Sequence, residues 1–175
     1  MTPRLLLAIV FCSTLTGCLA TLEGNVESAT TLILDAIPAP PGVNETPVQQ
    51  IAVVGTTGET SLGHLSTVCE VADGTVVNHP NFDGVSPRLV RDVLRHLEQR
   101  PDQLYASRGR DALLFALEEE GQCPDYLLYI QISRLQKSGP GVGPSEYKVT
   151  MELVDVATGN RVAKETTSVS MSKYR

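Results

Sequence analysis

The residues able to do chemistry are few in this chain and poorly placed for it. His64, His79, His96, Cys69 and Asp73 are metal-ligating types, but their spacing matches no zinc pattern. Glu118, Glu119 and Glu120 form a carboxylate run. General acid–base work needs two positioned carboxyl groups, whereas such a run reads as a solvated face. Gly55-Thr56-Thr57-Gly58 and Gly139-Pro140-Gly141-Val142-Gly143 are glycine-rich, yet neither carries the lysine of a phosphate loop. The G-x-S-x-G elbow of serine hydrolases is absent. The expectation is a protein that is not an enzyme, with no catalytic residue, no metal site and no cofactor.

The residues that do carry a chemical signal stand at the beginning. Arg4 precedes an apolar stretch, Leu5 to Cys12, that is too short to span a bilayer permanently. Leu15-Thr16-Gly17-Cys18 follows. An aliphatic residue, two small residues and a cysteine resemble the lipobox of bacterial lipoproteins, in which the thiol takes the lipid. Cys18 is therefore the expected lipidation site. Each buried CH₂ adds about 0.8 kcal/mol, so several acyl chains hold a protein on a membrane effectively for good. Leu19 after the cysteine, where aspartate would mark retention in the inner membrane, implies the outer membrane, with the domain facing the periplasm. Cys12 leaves with the leader and Cys18 is acylated, so Cys69 and Cys123 remain in an oxidising compartment and are expected to form a disulfide.

These signals divide the 175 residues into a signal peptide (1–17), a lipidated Pro-rich tether (18–47) and a periplasmic domain (48–175). Pro38, Pro40, Pro41 and Pro47 lack the N–H of a ladder and favour extended structure, which suits a tether. Apolar residues make up 42% and charged residues 19%, a globular balance. The net charge of −6 and the absence of tryptophan argue against nucleic acid as a partner: the charge repels a phosphate backbone, and stacking surfaces are scarce.

Within the domain, Gln49 to Val54 reads as a strand, and residues 55–85 read as a long loop. Ser86-Pro87 opens a helix whose Leu89, Val90, Val93, Leu94 and Leu97 form one apolar stripe, stopped by Pro101. Gln103 to Ala106 suggests a short strand. A second helix carries Leu113, Leu114 and Leu117 inward and ends at Gly121. Tyr126 to Leu135 reads as the central strand, Tyr147 to Leu153 as a half-buried one, and Arg161 to Ser170 as a polar strand near an edge. The order β-α-β-α-β-β-β predicts an α/β (α+β) fold, a two-layer sandwich in which a mixed sheet carries two helices on one face.

The last fifty residues add a resemblance. Asp125-Tyr126-Leu127-Leu128-Tyr129 stands where relatives read A-D-Y-V-L-x-G, and residues 152–162 (ELVDVATGNRV) resemble x-L-V-D-x-x-T-G-x-I-V. Lys173 falls where some relatives close with R-K. The chain thus resembles envelope lipoproteins of the penicillin-binding-protein activator LpoB family, whose fold is shared by CsgG and the N-terminal domain of TolB. Cys123-Pro124 and Gly55-Thr56-Thr57-Gly58 depart from the family pattern. The resemblance implies a non-catalytic regulator that docks on a peptidoglycan synthase, a penicillin-binding protein. A structural accessory of an envelope secretion or flagellar machine is the rival reading. In the hairpin motif, Asp155, Thr158 and Gly159 have a structural task, closing a tight turn. The 55–85 segment carries more apolar residues than a solvated connection needs. Leu62, Leu65 and Phe82 are therefore the candidate partner-binding residues, with covering of the sheet edge as the alternative.

Overall fold

The computed structural model describes residues 22–37, 48–56, 62–135 and 145–171. The elements run α1 (Leu22–Asp35), β1 (Gln49–Thr56), α2 (Leu62–Val77), β2 (Phe82–Val85), α3 (Pro87–His96), a 3₁₀ turn (Pro101–Tyr105), α4 (Ser107–Glu119), β3 (Tyr126–Arg134), β4 (Ser145–Asp155) and β5 (Arg161–Met171). The strands form one mixed sheet in the order β2-β1-β3-β4-β5. β1 is parallel to both β2 and β3, and the β3-β4-β5 run is antiparallel.

The apolar runs of β1 and β3 mean that both of their faces must be covered. Ile51, Val53, Leu128 and Ile130 face one core, shared with Val26, Ile33, Val68, Ala72 and Met151. Ala52, Val54, Leu127 and Tyr129 face the other, shared with Val90, Leu94, Leu104, Leu113 and Leu117. The two helices read from the sequence, α3 and α4, do share one face. The opposite face is covered by α1 and α2, so the α/β fold has three layers rather than two.

Both additional helices come from segments expected to be irregular. α1 lies within the stretch read as tether. Val26, Ala29, Thr30, Ile33 and Leu34 recur at helical spacing and are buried, which ties the helix to the sheet. Thr30 satisfies its hydroxyl within the helix by donating to the Val26 carbonyl at 2.8 Å. α2 and β2 occupy most of the stretch read as a long loop. Gly55 lets α2 lie close on β1, because a Cβ there would meet Cys69 Sγ at 2.9 Å. The strand expected at Gln103–Ala106 is instead the 3₁₀ turn, whose Leu104 is buried and accepts the Tyr129 hydroxyl at 2.9 Å.

The remaining boundaries follow the sequence. α3 starts with Pro87 at its first turn, although the Ser86 side chain makes no capping bond. Gly121 closes α4 at φ +76, with its amide on the Glu118 carbonyl and that of Gln122 on the Leu117 carbonyl, both at 2.9 Å. In the β4–β5 turn, Asp155 Oδ1 accepts the Thr158 amide at 2.7 Å and its hydroxyl at 2.8 Å. Gly159 supplies φ +70. Among the described residues, no helix is long and apolar enough to cross a membrane.

Candidate functional site

The residues singled out from sequence do not converge on one place. Cys18 lies outside the described residues. Leu62 begins α2, and its side chain also lies outside the described residues. Leu65 is buried on α2, and Phe82 is buried at the start of β2 with its ring 4.9 Å from His79. Phe82, Val68, Ala72 and Val76 belong to the core beneath α1 and α2, so this segment covers the sheet rather than presenting a loop surface.

The expected Cys69–Cys123 disulfide is not formed. Cys69 is a buried free thiol and Cys123 an exposed one. Cys69 packs on Gly55 near the C-terminal end of β1, whereas the Cys123 amide donates to Gln50 Oε1 at the other end. Five residues of strand separate those contacts, about 17 Å at ~3.3 Å per residue, and a disulfide needs Cα atoms within about 7 Å.

The polar candidates are dispersed as well. His79 Nε2 lies 3.7 Å from Asp35 Oδ1, and His96 is exposed on α3. Among the described residues, no group of three or more His, Cys, Asp or Glu side chains could hold a metal. Glu118, Glu119 and Glu120 are exposed.

A site emerges where the sheet is left incomplete. β2 is four residues long and pairs with β1 only as far as Ala52↔Val85, because Pro87 then turns the chain into α3. β1 continues to Thr56 against β3. Where β2 stops, α2 and α3 border a cavity of about 470 Å³ over the end of β1, with Val53 itself buried. Val53, Gly55, Leu65, Cys69, Val90 and Leu94 give it an apolar floor. Arg88, Arg91 and Arg95 stand along one side of α3, and Glu70 faces them from α2. Arg95 is paired with Asp92 at 3.0 Å, while Arg88 and Arg91 form no ion pair among the described residues.

Burial pushes the Cys69 thiol up to about 12, against the opposing pull of the Arg91 guanidinium. The thiol is protonated at neutral pH and is no nucleophile. Behind it on α2, burial and then the charge of Asp83 raise the Asp73 carboxyl to about 6. Asp73 Oδ1 is buried without a hydrogen-bond partner. The arginines along α3 give this side of the cleft an affinity for negative charge. The arginines had a sequence signal, a cationic stripe at i, i+3 and i+7 of one helix. The stripe reads as a solvated face until α2 and the end of β2 are known.

Known proteins share this arrangement of strands and helices. The chain has the LpoB C-terminal domain fold. It aligns with the LpoB C-terminal domain from Salmonella enterica at TM-score 0.52 and 19% identity, covering 86% of this chain and 98% of that one. The solution structure of Escherichia coli LpoB aligns at TM-score 0.58 and 18% identity, over 85% of this chain and 67% of that one. Lipoprotein GNA1162 from Neisseria meningitidis aligns at TM-score 0.51 and 15% identity, over 69% of this chain and 81% of that one. At such identities the likeness is one of fold. No protein-family model and no curated protein sequence matches the chain.

Proposed function

We propose that this protein is an outer-membrane lipoprotein, anchored through Cys18, whose periplasmic domain regulates a peptidoglycan synthase of the penicillin-binding class by docking on it without catalysis. The observation that carries the reading is the LpoB-type fold over 86% of the chain, placed directly behind a lipobox cysteine.

The place of α1 sharpens the topology. Only three residues separate Cys18 from Leu22, the start of a helix packed on the sheet. At ~3.5 Å per residue, the anchor lies within about 14 Å of the domain. A partner must then come to the outer membrane rather than be reached across the periplasm. This short leash also favours a second reading, an accessory of an envelope machine assembled at that membrane.

Capture of the full-length, lipidated protein from cross-linked envelopes, followed by labelling of the eluate with fluorescent penicillin, separates the two. A penicillin-binding protein enriched with the bait is expected. Its absence, with outer-membrane machine components enriched instead, overturns the synthase reading in favour of the second.

A further inference from the structure

α4 carries its charges at the wrong ends. A helix presents partial positive charge at its N-terminus and partial negative charge at its C-terminus, so anions suit the first turn and cations the last. α4 has no acidic residue in its first turn and no basic residue in its last. It opens on Arg108 and Arg110 and closes on Glu118 and Glu119, with Glu120 at the cap. Arg110 turns back, its Nη1 donating to the Tyr105 carbonyl at 2.9 Å. Arg108 and the three glutamates are exposed and form no ion pair among the described residues. Left alone, these charges weaken the helix they stand on.

The same helix exposes a ring that its own chain does not cover. Gly109, Leu113 and Leu117 form its buried side. Phe115 lies opposite them and is 65% exposed, more than any other large hydrophobic residue among those described. At ~100° per residue, Arg108, Asp111, Phe115 and Glu118 follow the three-four-three spacing of one narrow stripe, with Glu119 beside it. All five are exposed.

Reversed end for end, the stripe complements itself. Two copies of α4 crossing antiparallel at the level of Leu113 bring Arg108 of each to Glu118 and Glu119 of the other. Both ends of the pair are then matched at once, and the glutamates of each helix meet the positive N-terminus of the other. Phe115 of each copy lies two residues from that level, about 3 Å at ~1.5 Å per residue, so the rings meet near the centre. Asp111 faces Phe115 of the other copy without an opposite charge. The arrangement is isologous and closed, the geometry of a two-fold dimer.

We propose that the protein self-associates as a two-fold dimer through the outer face of α4, with Phe115 at the centre and Arg108 of each copy on Glu118 and Glu119 of the other. One helix per copy is a small contact, so the dimer is weak and reversible, dissociating in the micromolar range. Self-association of this kind holds whether or not a peptidoglycan synthase is the partner.

Sedimentation equilibrium of the full-length protein in density-matched micelles, from about 1 to 100 μM with micelles in excess, reads the association. A monomer–dimer equilibrium is expected. Arg108→Glu, and separately Glu118→Arg with Glu119→Arg, should each raise the dissociation constant by about tenfold or more, because like charges then face each other at both ends. Both changes place charge where the helix dipole favours it, so the melting temperature should hold or rise, which separates loss of the dimer from loss of the fold. An equimolar mixture of the two variants, distinguished by tags, should form a heterodimer of near wild-type affinity, since one end regains its native ion pair and the other the same pair with its signs exchanged. Phe115→Ala should weaken the dimer by about tenfold, and Asp111→Ala should tighten it. A monomer at every concentration overturns the proposal and leaves this face to a different protein. A dimer indifferent to both charge reversals, or a mixture no tighter than its components, puts the contact on another surface and overturns it as well.

Discussion

Replacing Asp73 by asparagine should stabilise the protein at neutral pH and leave it unchanged in acid. Asp73 sits half-buried on α2, with Oδ1 enclosed and unpartnered against Gly84 and with Asp83 nearby on β2. Burial first, and the Asp83 charge second, raise its carboxyl from 3.8 to about 6. Below pH ~3.8, folded and unfolded chains both hold the proton and the group imposes no penalty. As pH rises toward 6, the unfolded chain ionises while the folded one retains its proton, so stability falls. Above 6 both are ionised and the penalty is constant. At ~1.36 kcal/mol for each tenfold change in proton affinity, the full rise would correspond to about 3 kcal/mol, but the group is partly exposed, and solvent screening reduces this to about 1 kcal/mol. Asparagine copies the protonated shape at every pH. Urea unfolding of both proteins at pH 4 and pH 7.5 reads the difference, with the other titrating groups cancelling in the comparison. The expected gain is about 1 kcal/mol at pH 7.5 and near zero at pH 4. A difference independent of pH, or a loss at pH 7.5, refutes the buried-carboxylate reasoning.

Ile33→Ala should cost about 3 kcal/mol, since Ile33 is fully buried in the core under α1, and a scan should show melting lowered by about 10 °C. An unchanged melting point would return this segment to a tether. In the unreduced protein, a maleimide should label one thiol, Cys123, before denaturation and also Cys69 after it. No labelling in denaturant would establish a bridge. Gly159→Ala should cost about 1–2 kcal/mol, because φ +70 disfavours a side chain and its Cβ would press on the Arg110 guanidinium. A neutral effect in chemical denaturation would show that the turn can relax.

Much of the fold was legible where side-chain period and turn chemistry agree. The alternation from Tyr147 to Leu153, the Asp155–Gly159 turn and the apolar opening of β3 each specify one local structure, and the sheet has them in register. α1 and α2 were not legible for the same reason. Gly24 and Thr31 in the first, with Gly63, Gly74 and Thr75 in the second, are weak helix formers, and their composition reads as loop. The stripe Val26-Ala29-Ile33 and the run Val68-Ala72-Val76 were the available signals, and tertiary burial overrides propensity at both. The site was less legible than the fold. Leu65 was singled out for its apolar character, but the cleft exists because β2 stops at Val85, a length that no single residue announces. Cys69 and Cys123 were paired by elimination, and the pairing fails because residues read as a loop form α2, which seats Cys69 on Gly55 while Cys123 lies by Gln50.

The most direct measurement is the rate of glycan-strand polymerisation by the penicillin-binding synthases of the same bacterium, each assayed alone and with this protein added at increasing ratio. Regulation by docking requires one synthase to change rate saturably, and the Arg88→Glu, Arg91→Glu protein to need a higher concentration for the same effect. Unaltered rates for every synthase at saturating protein would contradict the proposed function.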